Sequence, residues 1–159
     1  MRLLISDANV LIDIEEGELI SPLFRLPHRI ATPDILFFDE LESHHPGLPG
    51  AGVELLPMPG ELIDEAQRLA AQHPAPSRYD MLALVLAQEH QCALLTGDNP
   101  LRKLATEKGV EVHGTLWIVE QMVRERLLTK DQARTAYERM QWAGSRLPWE
   151  TAFRRLEGL

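Results

Sequence analysis

Four acidic residues among the first hundred positions could together form one reactive site. Two closely follow short apolar runs and two fall within predicted helices; they are Asp7, Glu40, Asp80 and Asp98. Carboxylates that a fold brings together repel one another unless cations lie between them, so convergence of these four would imply a divalent metal site. Such a site indicates hydrolysis of a phosphodiester, because bound metal ions activate water and stabilise charge on the phosphate.

Short apolar runs alternate with amphipathic stretches through the first two thirds of the chain, and this alternation predicts strands and helices in turn. Predicted strands lie at 2–6, 29–31, 53–56, 93–96 and 110–112. The pattern is typical of a three-layer α/β fold with a mostly parallel sheet of about five strands. Ligands of such sheets bind beyond the carboxyl ends of the strands, and both Asp7 and Asp98 follow strands at that edge.

Capping residues and prolines predict where the helices begin. Thr32 and Pro33 supply an N-cap and a first-turn proline for a helix that carries Glu40 and extends to about residue 42. Ser77 caps a later helix and places Asp80 in its first turn. The Gly- and Pro-rich stretch 44–52 is predicted to be a loop, and further helices are predicted at 10–17, 61–72 and 100–108.

The last third of the chain is predicted to be entirely helical. Thr129–Gln132 has the sequence of a capping box, and Pro148 begins a short final helix. We therefore expect residues 1–113 to form the α/β domain and residues 114–159 to form a helical extension packed on it. Several large side chains of this tail could belong either to the core or to a surface for a second copy or a partner: Trp117, Met122, Met140, Trp142 and Trp149.

Length and composition indicate one domain in a reducing compartment. A chain of 159 residues with 45% hydrophobic content can bury a core without disulfides. Cys92 is the only cysteine, so no intramolecular disulfide forms and a cytoplasmic location is expected. The sequence contains neither a signal-peptide pattern nor an apolar run long enough to cross a bilayer.

The net charge of −8 argues against a protein whose whole surface binds nucleic acid. Bound divalent ions would neutralise part of an acidic cleft, and local basic patches matter more than the total charge. The candidate patches are Arg25 with His28 and Arg29, Arg78, and Arg102 with Lys103.

In the order and spacing of these motifs, the chain resembles a PIN domain, the metal-dependent nuclease fold of many bacterial and archaeal toxins of the VapC type. The resemblance covers residues 2 to about 113, and the tail from Gly114 resembles a PIN subgroup with a helical extension. The matching pieces are Ser6-Asp7-Ala8-Asn9-Val10-Leu11, the Thr32-Pro33 helix with Glu40-Leu41, the Asp80 helix with Ala83 and Ala87, and Leu95-Thr96-Gly97-Asp98 with Leu101 and Ala105.

The resemblance implies a metal-dependent endoribonuclease, the toxin of a type II toxin-antitoxin pair. In such families the four acids hold one or two Mg²⁺ or Mn²⁺ ions and the water that attacks RNA; by resemblance these catalytic and metal-binding residues are Asp7, Glu40, Asp80 and Asp98. Hard oxygen ligands suit Mg²⁺, which is held by few carboxylates. The resemblance also implies an antitoxin protein and a second copy of the chain as partners.

Four polar residues around the acids are candidates for supporting roles. Asn9 and Thr96 lie in the same motifs and are candidates to orient the metal ligands or the water. Arg78 and Arg102 are candidates to contact RNA phosphates.

Each acid also has an ordinary structural interpretation. A lone Asp at the position of Asp7 is usually a solvated turn residue, and an acid such as Asp80 is favoured near a helix start by the macrodipole alone. Glu40 has Asp39 and Glu42 as neighbours on the same predicted helix. The combination of four acids in the right order favours the metal site.

Two other functions remain open from the sequence. One is a non-catalytic PIN-like module that binds RNA or protein through its helical tail. The other is a metal-dependent phosphatase or a receiver-type protein in which a strand-end acid such as Asp7 is phosphorylated. That chemistry usually needs a nearby lysine, and the chain has only Lys103, Lys108 and Lys130.

Overall fold

The computed structural model describes residues 1–159 and contains one five-stranded sheet in which every neighbouring pair of strands is parallel. The strands are β1 (Arg2–Ser6), β2 (His28–Pro33), β3 (Glu54–Leu56), β4 (Ala93–Leu95) and β5 (Val112–His113), and their order across the sheet is β3-β2-β1-β4-β5. Helices connect and cover the strands, so the predicted α/β fold with five strands is confirmed.

Ten α-helices and one π-helical turn make up most of the chain. They are α1 (Ala8–Glu16), α2 (Ile20–Leu23), α3 (Asp34–Leu36), the π-helical turn (Phe37–Leu41), α4 (Leu48–Ala51), α5 (Gly60–Gln72), α6 (Arg78–Glu89), α7 (Asn99–Glu107), α8 (Thr115–Arg124), α9 (Lys130–Trp142) and α10 (Trp149–Glu157). None of these helices combines the length and the apolar character that crossing a membrane requires.

The central strands are buried on both faces, which is why their sequences are apolar without alternation. Leu4 and Ile5 of β1, Ala31 of β2 and Leu94 of β4 have no exposed surface. α6 packs on β1, β2 and β4 and is apolar over most of its length. These elements determine where the carboxyl ends of β1 and β4 lie in the fold.

The helix that carries Glu40 begins later than the sequence predicts. Thr32 and Pro33 belong to β2, where they are the register partners of Leu55 and Leu56 in β3. The Thr32 hydroxyl donates a hydrogen bond to the Ser6 carbonyl at 2.9 Å instead of capping a helix. The prediction was wrong because pairing with a neighbouring strand extends β2 through both residues.

The Gly- and Pro-rich stretch predicted as a loop contains a single helical turn, α4. Pro49 occupies the first helical turn, where its missing N–H costs nothing, and the buried side chain of Leu48 holds the turn against the core. Gly52 ends it with a φ of +135°, and a Cβ there would lie 2.8 Å from the Phe24 ring. Glycine is therefore required at this position.

The helical tail shares the main hydrophobic core. α8 and α9 pack on α1, and the side chains of Met122 and Met140 have no exposed surface. Trp117 and Trp149 are half-buried, whereas Trp142 is 92% exposed. Of the five tail residues considered for a partner surface, four thus pack within the chain and one faces solvent.

Candidate metal centre

Asp7 lies at the carboxyl end of β1, between the sheet and the first turn of α1. Its backbone N–H donates to the Leu95 carbonyl at 2.9 Å, which places it level with the end of β4. Its Oδ1 accepts a hydrogen bond from the backbone N–H of Val10 at 2.9 Å, so the side chain caps α1. The side chain is 2% exposed, and it is the most buried of the four predicted acids.

Thr96 connects the ends of β1 and β4 through its hydroxyl group. The hydroxyl donates to Asp7 Oδ2 at 2.5 Å and accepts from the backbone N–H of Asp98 at 3.1 Å. Asp98 in turn caps α7, with its Oδ2 accepting from the N–H of Leu101 at 2.9 Å. A single buried threonine therefore holds two of the predicted acids at one edge of the sheet.

Asp80 lies in the first turn of α6, near the same edge of the sheet. Its Oδ2 accepts from the backbone N–H of Ser77 at 2.9 Å, while the Ser77 hydroxyl accepts from the Asp80 N–H at 3.1 Å. The predicted cap at Ser77 is confirmed, and the structure shows it as a reciprocal capping box that fixes both the helix start and the carboxylate. Asp80 is half-buried.

Glu40 lies on the π-helical turn after β2, and it is exposed. Its neighbour Asp39 accepts a hydrogen bond from the Tyr79 hydroxyl at 2.7 Å, whereas no protein group bonds the Glu40 carboxylate. The wider helical turn gives Asp39 and Glu40 different surroundings, and π-helical turns are frequent at functional sites. Of these two acids, Glu40 is the one with both oxygens free.

Electrostatic repulsion links Asp80 to each of the other three acids. The charge of Asp80 raises the pKa of both Asp7 and Glu40, and the charge of Asp98 raises the pKa of Asp80. Burial is the largest cause of all three shifts, and it raises the pKa of Asp7 to about 7. Asp80 is thus the central member of the group.

The donor chemistry of this group fits a hard divalent cation. All four groups offer oxygen, and a cation among them would offset the repulsion that raises their pKa values. In the conformation described, no three His, Cys, Asp or Glu side chains lie close enough to share one ion. Three of the carboxylates instead accept hydrogen bonds from backbone N–H groups at helix starts, so joint binding of an ion requires the acidic side chains to move closer together.

The four residues predicted to support the acids have different surroundings in the structure. Thr96 contacts two acids directly, and the Arg102 Nη1 donates to the Thr96 carbonyl at 3.1 Å from the adjacent helix α7. Asn9 is exposed in the first turn of α1 and lines a cavity beside Asp98. Arg78 is exposed beside the site, with its guanidinium 5.2 Å from the Tyr79 ring centroid.

Sequence reasoning missed Asp13, a buried acid on α1 behind the site. Its two oxygens accept hydrogen bonds from the hydroxyls of Thr115, at 2.8 Å, and Ser145, at 2.7 Å. Burial raises its pKa, and its charge adds to the repulsion on Asp7. The available signal was an acid between two isoleucines in an apolar helix, but its partners lie far along the chain in the tail.

The Thr115 contact gives a testable effect on stability. A Thr115→Val change keeps the shape of the side chain but leaves a buried carboxylate oxygen without its donor, so we expect the free energy of unfolding to fall by about 1–3 kcal/mol. Urea denaturation at neutral pH measures this loss. Thr135→Val is the matched control: that hydroxyl is exposed and bonds only the Asp131 carbonyl, so its change should stay within about 0.5 kcal/mol. Equal losses in the two variants would contradict the role of Asp13.

Comparison with known proteins identifies the family and supports the fold. The model of a PIN-domain family, DUF3368, matches residues 3–157. The curated proteins include no match to the sequence. Among solved structures, the chain is similar to a PilT N-terminus domain protein, SSO1118, from the hyperthermophilic archaeon Sulfolobus solfataricus P2, with a TM-score of 0.51 over 77% of this chain and 94% of that one. That pair is 13% identical, so it supports the fold alone. Since the family match runs from β1 through α10, this chain belongs to the PIN-domain family.

Proposed function

We propose that the protein is a Mg²⁺- or Mn²⁺-dependent endoribonuclease that hydrolyses RNA phosphodiester bonds. PIN domains are generally nucleases that use divalent metals, and the family assignment therefore supports this class of activity. The observation that carries the proposal is the placement of Asp7 and Asp98 at the carboxyl edge of the parallel sheet, where Thr96 joins them and the charge of Asp80 acts on Asp7. Four repelling acids at that edge have a clear use when a cation binds among them.

The residues divide into those that hold the cation and those that position the holders. Asp7, Glu40, Asp80 and Asp98 would bind one or two ions, which when bound lower the pKa of the attacking water and stabilise charge on the phosphate. Thr96 orients Asp7 through the short hydrogen bond between their side chains. The remaining proposed roles are orientation of ligands or water by Asn9 and contact with RNA phosphates by Arg78 and Arg102.

A receiver-type phosphoacceptor is less well supported. A phosphoacceptor must reach the phosphorus atom of its donor in line, and Asp7 is 2% exposed. Burial also raises the pKa of Asp7 to about 7, which reduces the carboxylate fraction available to attack a phosphoryl donor. A non-catalytic binding module is also less well supported. Repulsion among the four acids lowers stability, and such a module would have no bound cation to offset it.

We further propose that this ribonuclease is a VapC-type toxin of the cytoplasm. In that role it would form a homodimer and be inhibited by an antitoxin protein that covers the acidic cleft or places an Arg or Lys in it. The support is the resemblance of the acid motifs to those toxins. Co-expression with a neighbouring small gene product, followed by rescue of growth, would test this finer assignment separately from the nuclease activity.

The nuclease activity is tested by incubating the protein with transfer, ribosomal and messenger RNAs in Mg²⁺, Mn²⁺ or EDTA. We expect cleavage of at least one RNA class with either metal and none in EDTA, because the four acids lack a compensating cation once the metal is removed. Cleavage that continues in EDTA would contradict the metal assignment. Absence of cleavage in every condition, from a protein that binds RNA, would favour the binding module.

A further inference from the structure

A groove lies between the α/β part of the chain and the helical tail, next to the acids. One wall includes Gly97 and Arg102, and the other includes Arg146 and Arg155 from the loop before α10 and from α10 itself. The groove has a volume of about 710 Å³. A second cavity, of about 440 Å³, shares Gly97 and Arg146 with it and is also lined by Asp98. The groove therefore adjoins Asp98, one of the four acids.

The groove is basic in a chain whose net charge is −8. Three arginines line it, and no Asp or Glu does. Arg102 donates to the Thr96 carbonyl at 3.1 Å and Arg155 pairs with the buried Glu120 at 2.6 Å. Arg146 is exposed and takes part in no ion pair. Arg146 is thus a cation with no ion-pair partner in the chain, and it lines the second cavity together with Asp13, Glu16 and Asp98.

Apolar and aromatic side chains occupy the same walls. Val112, Trp117 and Leu147 line the groove, and the Trp117 ring stacks on His113 with centroids 4.0 Å apart and planes at 13°. A nucleotide combines an anionic phosphate with a flat, partly apolar base and sugar, and grooves that bind single strands combine basic and aromatic residues in this way. An acidic peptide would use the arginines but not this apolar surface.

The position of Arg146 relative to the acids is fixed by its neighbour. Ser145 donates its hydroxyl to Asp13 of α1 at 2.7 Å, and α1 is the helix that Asp7 caps. The backbone at Arg146 is therefore tied to the element that holds the most buried acid. Gly97 and Arg146 line both cavities, so the space beside Asp98 continues past Gly97 into the groove.

We propose that this groove binds single-stranded RNA on one side of the scissile phosphodiester, with Arg146 contacting a phosphate. The inference rests on the proposed ribonuclease function and adds to it a binding site for the substrate strand. Arg146 is the informative residue to change, because Arg102 also bonds the Thr96 carbonyl beside the acids.

Binding is measured by anisotropy of a fluorescein-labelled single-stranded RNA of mixed sequence, on the order of ten nucleotides long, in EDTA so that metal-dependent cleavage is suppressed. We expect Arg146→Ala to raise the dissociation constant about tenfold, and Arg146→Glu to raise it further. The slope of log K against log salt should fall by about 0.7 for each phosphate that the variant no longer binds. In cleavage assays with metal, Arg146→Ala should raise KM and leave kcat unchanged.

The matched control is Arg154→Ala, which removes an exposed arginine of the same tail that lines neither cavity and has no ion pair. It should bind RNA within about twofold of the wild type, since its charge lies off the path of the strand. Unchanged affinity and salt slope in Arg146→Ala would overturn the groove even if the wild type cleaves RNA. Absence of RNA binding by the wild type would also overturn the groove.

Other outcomes separate the groove from the activity. Arg146-dependent RNA binding by a protein that cleaves no RNA would support the groove while contradicting the ribonuclease. Arg146-dependent binding of a labelled oligoglutamate peptide, with no RNA binding, would overturn the proposal in favour of an acidic protein segment as the occupant.

Discussion

An Asp7→Asn variant is expected to lose RNA cleavage by at least about a hundredfold, because residues that only orient metal ligands already contribute about 10- to 100-fold. The same change should stabilise the metal-free protein. Asparagine can still accept the Val10 N–H and can bond the Thr96 hydroxyl, so the two local contacts of Asp7 have replacements. What the variant loses is a buried charge.

The raised pKa of Asp7 determines how the stability gain of the Asp7→Asn variant changes with pH. Burial raises the pKa of Asp7 from 3.8 to about 7, so the folded protein holds a proton between these values that the unfolded chain has released. The contribution of Asp7 to the stability of the wild type therefore falls as pH rises from 3.8 to about 7 and stays low above it. At about 1.4 kcal/mol per pKa unit, the deficit at pH 8 is a few kcal/mol.

Urea denaturation in EDTA at pH 5 and pH 8 measures this effect. Asp7→Asn should exceed the wild type clearly at pH 8 and much less at pH 5, because the wild-type carboxyl is still protonated there in the folded state. Asp64→Asn is the control: it makes the same chemical change at an exposed position on α5 and should alter neither cleavage nor stability. Full cleavage by Asp7→Asn would refute the metal assignment.

Removal of the tail after His113 is expected to unfold the chain. The hydrophobic core contains 43 residues, and ten of them lie beyond the cut: Leu116, Ile118, Val119, Met122, Ala133, Ala136, Tyr137, Met140, Ala152 and Leu156. Each large buried side chain contributes roughly 1.5–3 kcal/mol, whereas a whole domain is stable by only about 5–15 kcal/mol. The cut also removes both hydroxyl donors of Asp13, which leaves a buried carboxylate unpaired.

Circular dichroism and dye binding to exposed apolar surface would record the unfolding. A chain that ends at Glu157 loses two residues and no fully buried side chain, so it should melt like the wild type. Cooperative melting of residues 1–113 near the wild-type temperature would show instead that the α/β part folds alone and that the tail is an addition to it.

The strands and most helix starts could be predicted because their signals are local. β1 and β4 are apolar runs long enough to span a buried sheet, and Ser77 and Thr129 have the capping-box partners that the structure uses. The end of β2 could not be predicted in this way. Thr32 carries a capping signal, but its hydrogen bond to Ser6 and its pairing with β3 depend on residues distant in sequence.

In the candidate site too, some features follow from local sequence signals and others depend on contacts distant in sequence. Asp7 and Asp98 follow strands, so their shared edge follows from the α/β pattern alone. The place of Asp80 at the centre of the group depends on how α6 packs across the sheet, and the choice of Glu40 over Asp39 depends on a π-helical turn and on Tyr79. Asp13 lies 102 and 132 residues from its two partners, a separation that no local pattern reports.

Three of the four acids also accept backbone hydrogen bonds at the start of a helix: Asp7 at α1, Asp80 at α6 and Asp98 at α7. Alanine at any of them would weaken a helix along with the site, whereas asparagine keeps an oxygen for the same bond. The genetic code has two codons for aspartate, and a single base transition converts each of them to a codon for asparagine. Loss of one of the proposed metal-binding acids is thus a small genetic step that keeps the helix start intact, so the proposed activity can be removed without removing the fold.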